Sequence, residues 1–127
     1  MLNNDHGISP DGKTIAVTDK TETGKSCIYK LHVGGGTPTR ITAAVPSYWH
    51  GWSPDGQTLA YCGFRDDVID IFISPVGGGP ERKLTSGPGH KDGPDFISDG
   101  CWLWFNGDMG GRMELWRMRT DGSDDER

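Results

Sequence analysis

The sequence predicts an all-β chain built from three copies of one four-stranded unit. Three observations carry that expectation. Asp11, Asp55 and Asp99 are each followed by glycine and stand 44 residues apart. A large apolar residue (Ile8, Trp52 or Phe96) precedes each of them by three positions. Downstream, "IYKLHVGGG" (28–36), "IFISPVGGG" (71–79) and "LWRMRTDGS" (115–123) recur at intervals of 43 and 44, and "TRIT" (39–42) and "RKLT" (82–85) close the first two units. Self-similarity at such a period marks a repeat architecture, and four short strands per repeat of this length describe the blade of a β-propeller. The units fall at about residues 1–42, 43–85 and 86–127 of one domain.

In the second unit the strands are expected at about 48–53, 58–64, 70–76 and 82–85. The connector Ser53-Pro54-Asp55-Gly56 is a hairpin turn: Pro presets φ, Ser or Asp bonds nearby backbone N–H groups, and Gly takes a positive φ. The triple glycines of 34–36 and 77–79 serve the third turn, with Asp121-Gly122 in that place in the last unit. One stretch invites another reading. "GISPDGKT" (7–14) fits the phosphate-loop pattern G-x-x-x-x-G-K-T, but that loop must open a helix, and the β-branched "IAVTDKT" follows. Its repeat copy "GWSPDGQT" (51–58) has Gln57 where the phosphate-contacting Lys would stand. The match is turn chemistry.

The phrases "SYWHGWSPDGQTLAYCG", "DGPDFISDG", "LWFNGDMGGRMELWRMRTDGS" and the "VGGG…LT" blade ends resemble TolB-type propellers, the PD40 or WD40-like repeat, over essentially the whole chain. The resemblance implies a β-propeller used mostly for binding and scaffolding, in a family with a periplasmic member that binds lipoprotein and toxin partners. Two departures stand out. The third unit reads Ile97-Ser98-Asp99-Gly100, without the proline, and "DGSDDER" supplies no fourth strand, so the last blade is expected to lack its outer strand. The sequence likewise begins just before an innermost strand.

Propellers close with four to eight blades. Three blades are half of a six-bladed ring, and their open faces call for a partner: either two copies join into one ring, a homodimer, or the sequence is a piece of a longer chain, and the homodimer is the preferred reading. A net charge of −5, from 13 basic and 18 acidic residues without a basic stripe, argues against nucleic acid and anionic membrane. No long apolar run offers a membrane insertion. No apolar leader region with a cleavage site is present, so the sequence as written is expected in the cytoplasm, or in the periplasm if it is a truncated form. Cys27, Cys62 and Cys101 lack metal-type spacing and are expected as buried free thiols on strands.

Candidate binding residues follow from blade position. "SYWHGW" brings Tyr48, Trp49, His50 and Trp52 into six residues. Trp52 holds the slot of Ile8 and Phe96 and is expected between blades with Trp104 and Trp116, whereas Trp49 falls on the opposite face and is the more open to a ligand. His6 and His50 occupy equivalent places at the start of the innermost strand, beside the channel, and His90 with Asp92 lies in the loop leading to the third. Imidazoles and carboxylates there could hold a divalent metal, with His6, His50 and His90 as ligands. Pro94 stands at the equivalent of His50 in the third unit, so structural roles are preferred and no metal or other cofactor is expected. Asp66, Asp67 and Asp70 are placed in the loop between the second and third strands of the second unit, as a solvated rim open to a ligand.

Catalytic constellations fail. "GISPD" and "GWSPD" lack the second Gly of G-x-S-x-G and the strand-to-helix elbow, leaving Ser9 and Ser53 as turn residues. "DGSDDER" lacks the calcium-loop order and reads as a solvated tail. The expected function is non-catalytic binding of a protein or small ligand by loops on rigid blades, through His6, Tyr48, Trp49, His50, Asp66, Asp67, His90 and Asp92. The alternative is a channel-centred, metal-dependent sugar-lyase-like propeller or a hydrolase-accessory propeller.

Overall fold

A computed structural model describes the backbone of residues 2–123 and 125–126 and the side chains of 5–123. Three antiparallel sheets follow one another along the chain. The first contains β1 (Leu2–Ile8), β2 (Thr14–Asp19), β3 (Cys27–His32) and β4 (Thr39–Arg40), hydrogen-bonded in chain order. The second repeats this with β5 (Ser47–Trp52), β6 (Thr58–Arg65), β7 (Val68–Pro75) and β8 (Arg82–Lys83). The third holds β9 (Lys91–Phe96), β10 (Trp102–Gly107), β11 (Glu114–Arg119) and β12 (Asp125–Glu126). These are three consecutive propeller blades, with the first strands β1, β5 and β9 adjoining one another. Among the described residues, no helix is long and apolar enough to cross a membrane.

Three full strands form the last sheet, and a two-residue ladder stands where the outer strand was expected to be missing. Asp125 and Glu126 pair with Met118 and Arg117. Two residues suffice because β4 and β8 are no longer. The side chains of the acidic end beyond Ser123, expected as a solvated tail, lie outside the described residues.

The first hairpin turns repeat bond for bond. Ser9 Oγ donates to Asp11 Oδ1 at 2.6 Å, the Lys13 amide donates to the same oxygen at 3.0 Å, and Ser9 Oγ accepts the Thr14 amide at 3.0 Å. Ser53, Asp55, Gln57 and Thr58 make the same set at 2.6, 3.0 and 2.9 Å. Gly12 and Gly56 take φ of 72° and 71°, a left-handed conformation that glycine adopts freely. The phosphate-loop lookalike is therefore a fully bonded turn. The Ser hydroxyl's bond to each carboxylate, reinforced by the backbone amide, holds Asp11 and Asp55 below the usual carboxylate range. In the third turn Ile97 replaces that serine, and only Asp99 caps the chain, accepting from the Cys101 amide at 2.8 Å.

The apolar core lies between blades. Ala16, Ile28 and Ile41 of the first sheet meet Trp49, Leu59, Tyr61 and Phe72 of the second. Ala60, Cys62 and Ile71, on the other face of the second sheet, meet Leu103, Phe105 and Met118 of the third. Period-two alternation along β6 thus serves two neighbours at once. Burying each of these large side chains contributes about 1.5–3 kcal/mol.

Two expectations change here. Asp70 is not in a loop: Asp66 and Asp67 form a tight two-residue turn with φ of 51° and 62°, so β7 begins at Val68 and carries Asp70 into the sheet opposite Gly63. Cys101 is exposed at the turn before β10, whereas Cys27 and Cys62 are buried strand thiols.

Candidate functional site

Each inner strand is irregular, and the irregularity shapes the site. In β5, Trp49 faces Tyr61 while Gly51 already faces Ala60, so His50 is an extra residue in the ladder. In β9 the same shift falls between Asp95 and Asp92. A bulge of this kind breaks the alternation and re-aims a side chain. Trp49 and Trp52 consequently turn to the same side and both pack into the junction of the first and second sheets. Trp49, expected on the ligand side, is 9% exposed there. Its ring lies over Gly7, where any β-carbon would overlap it. Its amide donates to Thr18 Oγ1 at 3.0 Å, and its indole Nε1 is buried without a hydrogen-bond partner. Trp52 donates from Nε1 to the Gly7 carbonyl at 3.1 Å.

The same bulge turns His50 to the third sheet. His50 Nε2 lies 3.2 Å from Asp92 Oδ1. Cys62 Sγ, across the ladder from Tyr48, donates to that oxygen at 3.2 Å, and the Gly93 amide donates to it at 2.8 Å. Two donors and the His50 imidazole nitrogen thus converge on one carboxylate oxygen. Among the described residues, the metal-ligand-type side chains drawn into one group, with donor atoms within 4.8 Å, are His50, Cys62 and Asp92. The Cys62 thiol is buried, which pushes its pKa far up, and the adjacent Asp92 charge pushes the same way. It is a neutral donor at physiological pH.

The other selected residues lie apart from this group. His6 is exposed on β1 opposite Val17. Tyr48 is half-buried against the core between the second and third sheets. Asp66 and Asp67 are exposed turn residues. His90 is exposed, its amide donating to Asp108 Oδ1 at 2.6 Å and its carbonyl accepting from the Asp108 amide at 3.1 Å. The structure therefore joins His50 with Asp92, adds Cys62, and leaves His6 and His90 out of any three-histidine set.

A second polar cluster went unread. Asp70 and Lys91 are each 1% exposed, with Oδ1 and Nζ 3.2 Å apart. Lys83 Nζ reaches Asp70 Oδ2 at 2.6 Å, Thr85 Oγ1 donates to Asp70 Oδ1 at 2.7 Å, and Lys91 also donates to the Gly87 carbonyl at 2.7 Å. Burial pushes the Asp70 pKa up, but the bonds from Lys83, Thr85 and Lys91 outweigh it and hold the carboxyl below the usual range. This buried pair fastens the second blade to the third. Its signal in the sequence was a double break of the repeat, since the first unit carries Cys27 where the second has Asp70, and Ser47 stands where the third has Lys91. A groove of about 390 Å³ between the first two blades, lined by Asp11, Lys30, His32, Trp52 and Asp55, also involves none of the selected residues.

No protein-family model matches the sequence. An uncharacterised protein of Agrobacterium fabrum is 55% identical over 127 residues, which is 100% of this chain and 43% of that protein. A solved structure assigned as a TolB of Agrobacterium tumefaciens superposes with a TM-score of 0.96 at 55% identity, over 99% of this chain and 46% of that one. The three blades match those of TolB-type propellers. TolB from Acinetobacter baumannii has the same fold, with a TM-score of 0.83 at 20% identity over 98% of this chain and 32% of that one. The chain spans less than half the length of these relatives. TolB proteins are a periplasmic family, and this likeness overturns the expectation of a cytoplasmic chain.

Proposed function

We propose that this TolB-type segment is a non-catalytic binding scaffold that works as part of a closed ring, with a second copy of the chain supplying the other three blades. The observation that carries this reading is the outer face of the third sheet. Ala60 and Ile71, which face the next blade from the second sheet, are 0% exposed. Their repeat equivalents Trp104 and Leu115 are 39% and 55% exposed. The opposite open face has the same character: Leu59 and Tyr61 are fully buried, and their equivalents Ile15 and Val17 are half-buried. Trp104 and Leu115 of one copy against Ile15 and Val17 of the other, made twice about a two-fold axis, would give six blades, within the usual range.

The blades would act geometrically, holding loops in a fixed array. The exposed side chains His6, Asp66, Asp67, His90 and Asp92 would meet a protein or small-ligand partner, while Trp49 supports the array from within. The hydroxyls of Ser9 and Ser53, the nearest approach to a nucleophile motif, are committed to their turns.

Light scattering across a dilution series tests the ring. The expected species has twice the 13.9 kDa chain mass, and Trp104→Asp should convert it to a monomer with an unchanged strand spectrum. A monomer at every concentration would end the two-copy reading.

A further inference from the structure

We infer that the junction of the second and third blades holds one divalent transition-metal cation of the zinc class, bound by His50 Nε2, Cys62 Sγ and Asp92 Oδ1. The three donors come from three strands, β5, β6 and β9, and from two blades. A tetrahedral zinc site with nitrogen and oxygen ligands at about 2.0–2.2 Å has ligand-to-ligand edges of about 3.4 Å, and of about 3.6 Å where one ligand is sulfur at about 2.3 Å. The His50–Asp92 and Cys62–Asp92 separations are both 3.2 Å, and all three donor atoms lie within 4.8 Å. Little movement is needed for a cation to enter.

The donor chemistry selects the ion. Thiolate and imidazole favour zinc and its neighbours over magnesium or calcium, which take oxygen ligands. The Asp92 side chain is 63% exposed, so a fourth position opens to water. Binding exchanges protons for the cation: the Cys62 thiol releases its proton to solvent, and His50 binds through the Nε2 lone pair as a neutral imidazole with its proton on Nδ1. The Gly93 amide already fixes the Asp92 oxygen. The arrangement is not a general consequence of the fold. At the preceding junction, Thr18 and Tyr48 occupy the places of Cys62 and Asp92, and His6 is exposed.

Cobalt and zinc titrations of the 127-residue chain test the inference, in a Cys101→Ser background that removes the exposed thiol. One equivalent of Co²⁺ should produce thiolate-to-cobalt charge-transfer absorption in the near ultraviolet, and Zn²⁺ should displace it. Zn²⁺ should also raise the thermal midpoint, because a ligand that binds only the folded state stabilises it. Cys62→Thr, which installs the residue of the preceding junction and keeps the fold, should abolish both responses, and Asp92→Asn should weaken the cobalt band at least tenfold in affinity. Absence of the band in the parent chain, or its survival in Cys62→Thr, would overturn the site.

Discussion

Where the first two blades meet, Trp49 covers Gly7 and hands its amide proton to the Thr18 hydroxyl; where the second and third meet, Gly93 stands in the place of Trp49 and Cys62 in the place of Thr18. The shared framework is narrow. Thr42 Oγ1 accepts the Ile28 amide at 3.0 Å, and Thr85 Oγ1 accepts the Ile71 amide at 2.9 Å. Ser47 ties back to the Ala44 carbonyl at 2.9 Å, as Lys91 ties back to Gly87 at 2.7 Å. Around these repeated bonds the two junctions diverge. The first is filled by an indole and bridged by Lys30 Nζ, which donates to the Val76 carbonyl at 2.8 Å, and the second is closed by a buried Asp70–Lys91 pair and the His50–Asp92–Cys62 contact. A repeat fold constrains the backbone of each joint and leaves the chemistry between neighbours free.

The sharpest way to break the comparison is at Lys91. Lys91→Met leaves the buried Asp70 with the half-exposed Lys83 and the Thr85 hydroxyl as its partners, and removing one partner of a buried pair costs at most about 3–5 kcal/mol. The double variant Asp70→Cys/Lys91→Ser copies the first junction and should recover more than half of that loss in urea unfolding. A single-variant loss below about 1 kcal/mol would mean that packing, not charge, fastens this joint. Acid should discriminate in the same way. The folded-state pKa of Asp70 is depressed, so its stabilisation is complete above the unfolded value of about 3.9 and is lost as pH falls through the lower folded value. Between pH 5 and pH 2 the urea midpoint of the parent chain should fall more steeply than that of the double variant. Parallel curves would remove Asp70 from the acid response.

A smaller contrast sits on the inner strands. Gly7 and Gly51 are equivalent, but a β-carbon on Gly7 overlaps the Trp49 ring, whereas one on Gly51 meets the Pro94 carbonyl at 3.1 Å and Asp95 Oδ1 at 3.2 Å. Gly7→Ala is expected to cost about 1–3 kcal/mol by overpacking, and Gly51→Ala under about 1 kcal/mol. Equal losses in urea unfolding would show that the indole yields as readily as a strand carbonyl.

These contrasts mark how far the sequence could be read. Turns and strands were legible because their causes are local: Ser-Pro-Asp-Gly bonds to itself, and alternation along β6 follows from period two. Trp49 was placed on the wrong side because period two assumes a regular strand, and the bulge at His50 adds one residue to the count. The joining of Cys62 to Asp92 was illegible for a different reason. Each residue has an ordinary local reading, as a core thiol and a loop carboxylate, and only the packing of neighbouring sheets brings them within 3.2 Å. Asp70 was hidden by its company, since two aspartates that do form a turn stand just before it. The buried ion pair was visible in principle, because Asp70 and Lys91 break the repeat at once with opposite charges.

The smallest expected effect tests what each junction asks of one side chain. Thr18 Oγ1 is an acceptor for the buried Trp49 amide, while Cys62 serves chiefly as a donor to Asp92. A hydroxyl can do both and a thiol accepts weakly. Cys62→Thr should therefore shift stability by less than about 0.5 kcal/mol, because the new hydroxyl still reaches Asp92 and a β-branched residue suits a strand. The reciprocal Thr18→Cys should cost about 1 kcal/mol, since the Trp49 amide loses its good acceptor in a buried position. Urea midpoints of the two variants decide the point. An equal cost for both exchanges would mean that the junctions make the same hydrogen-bond demand, and that their difference resides in the indole and the ion pair alone.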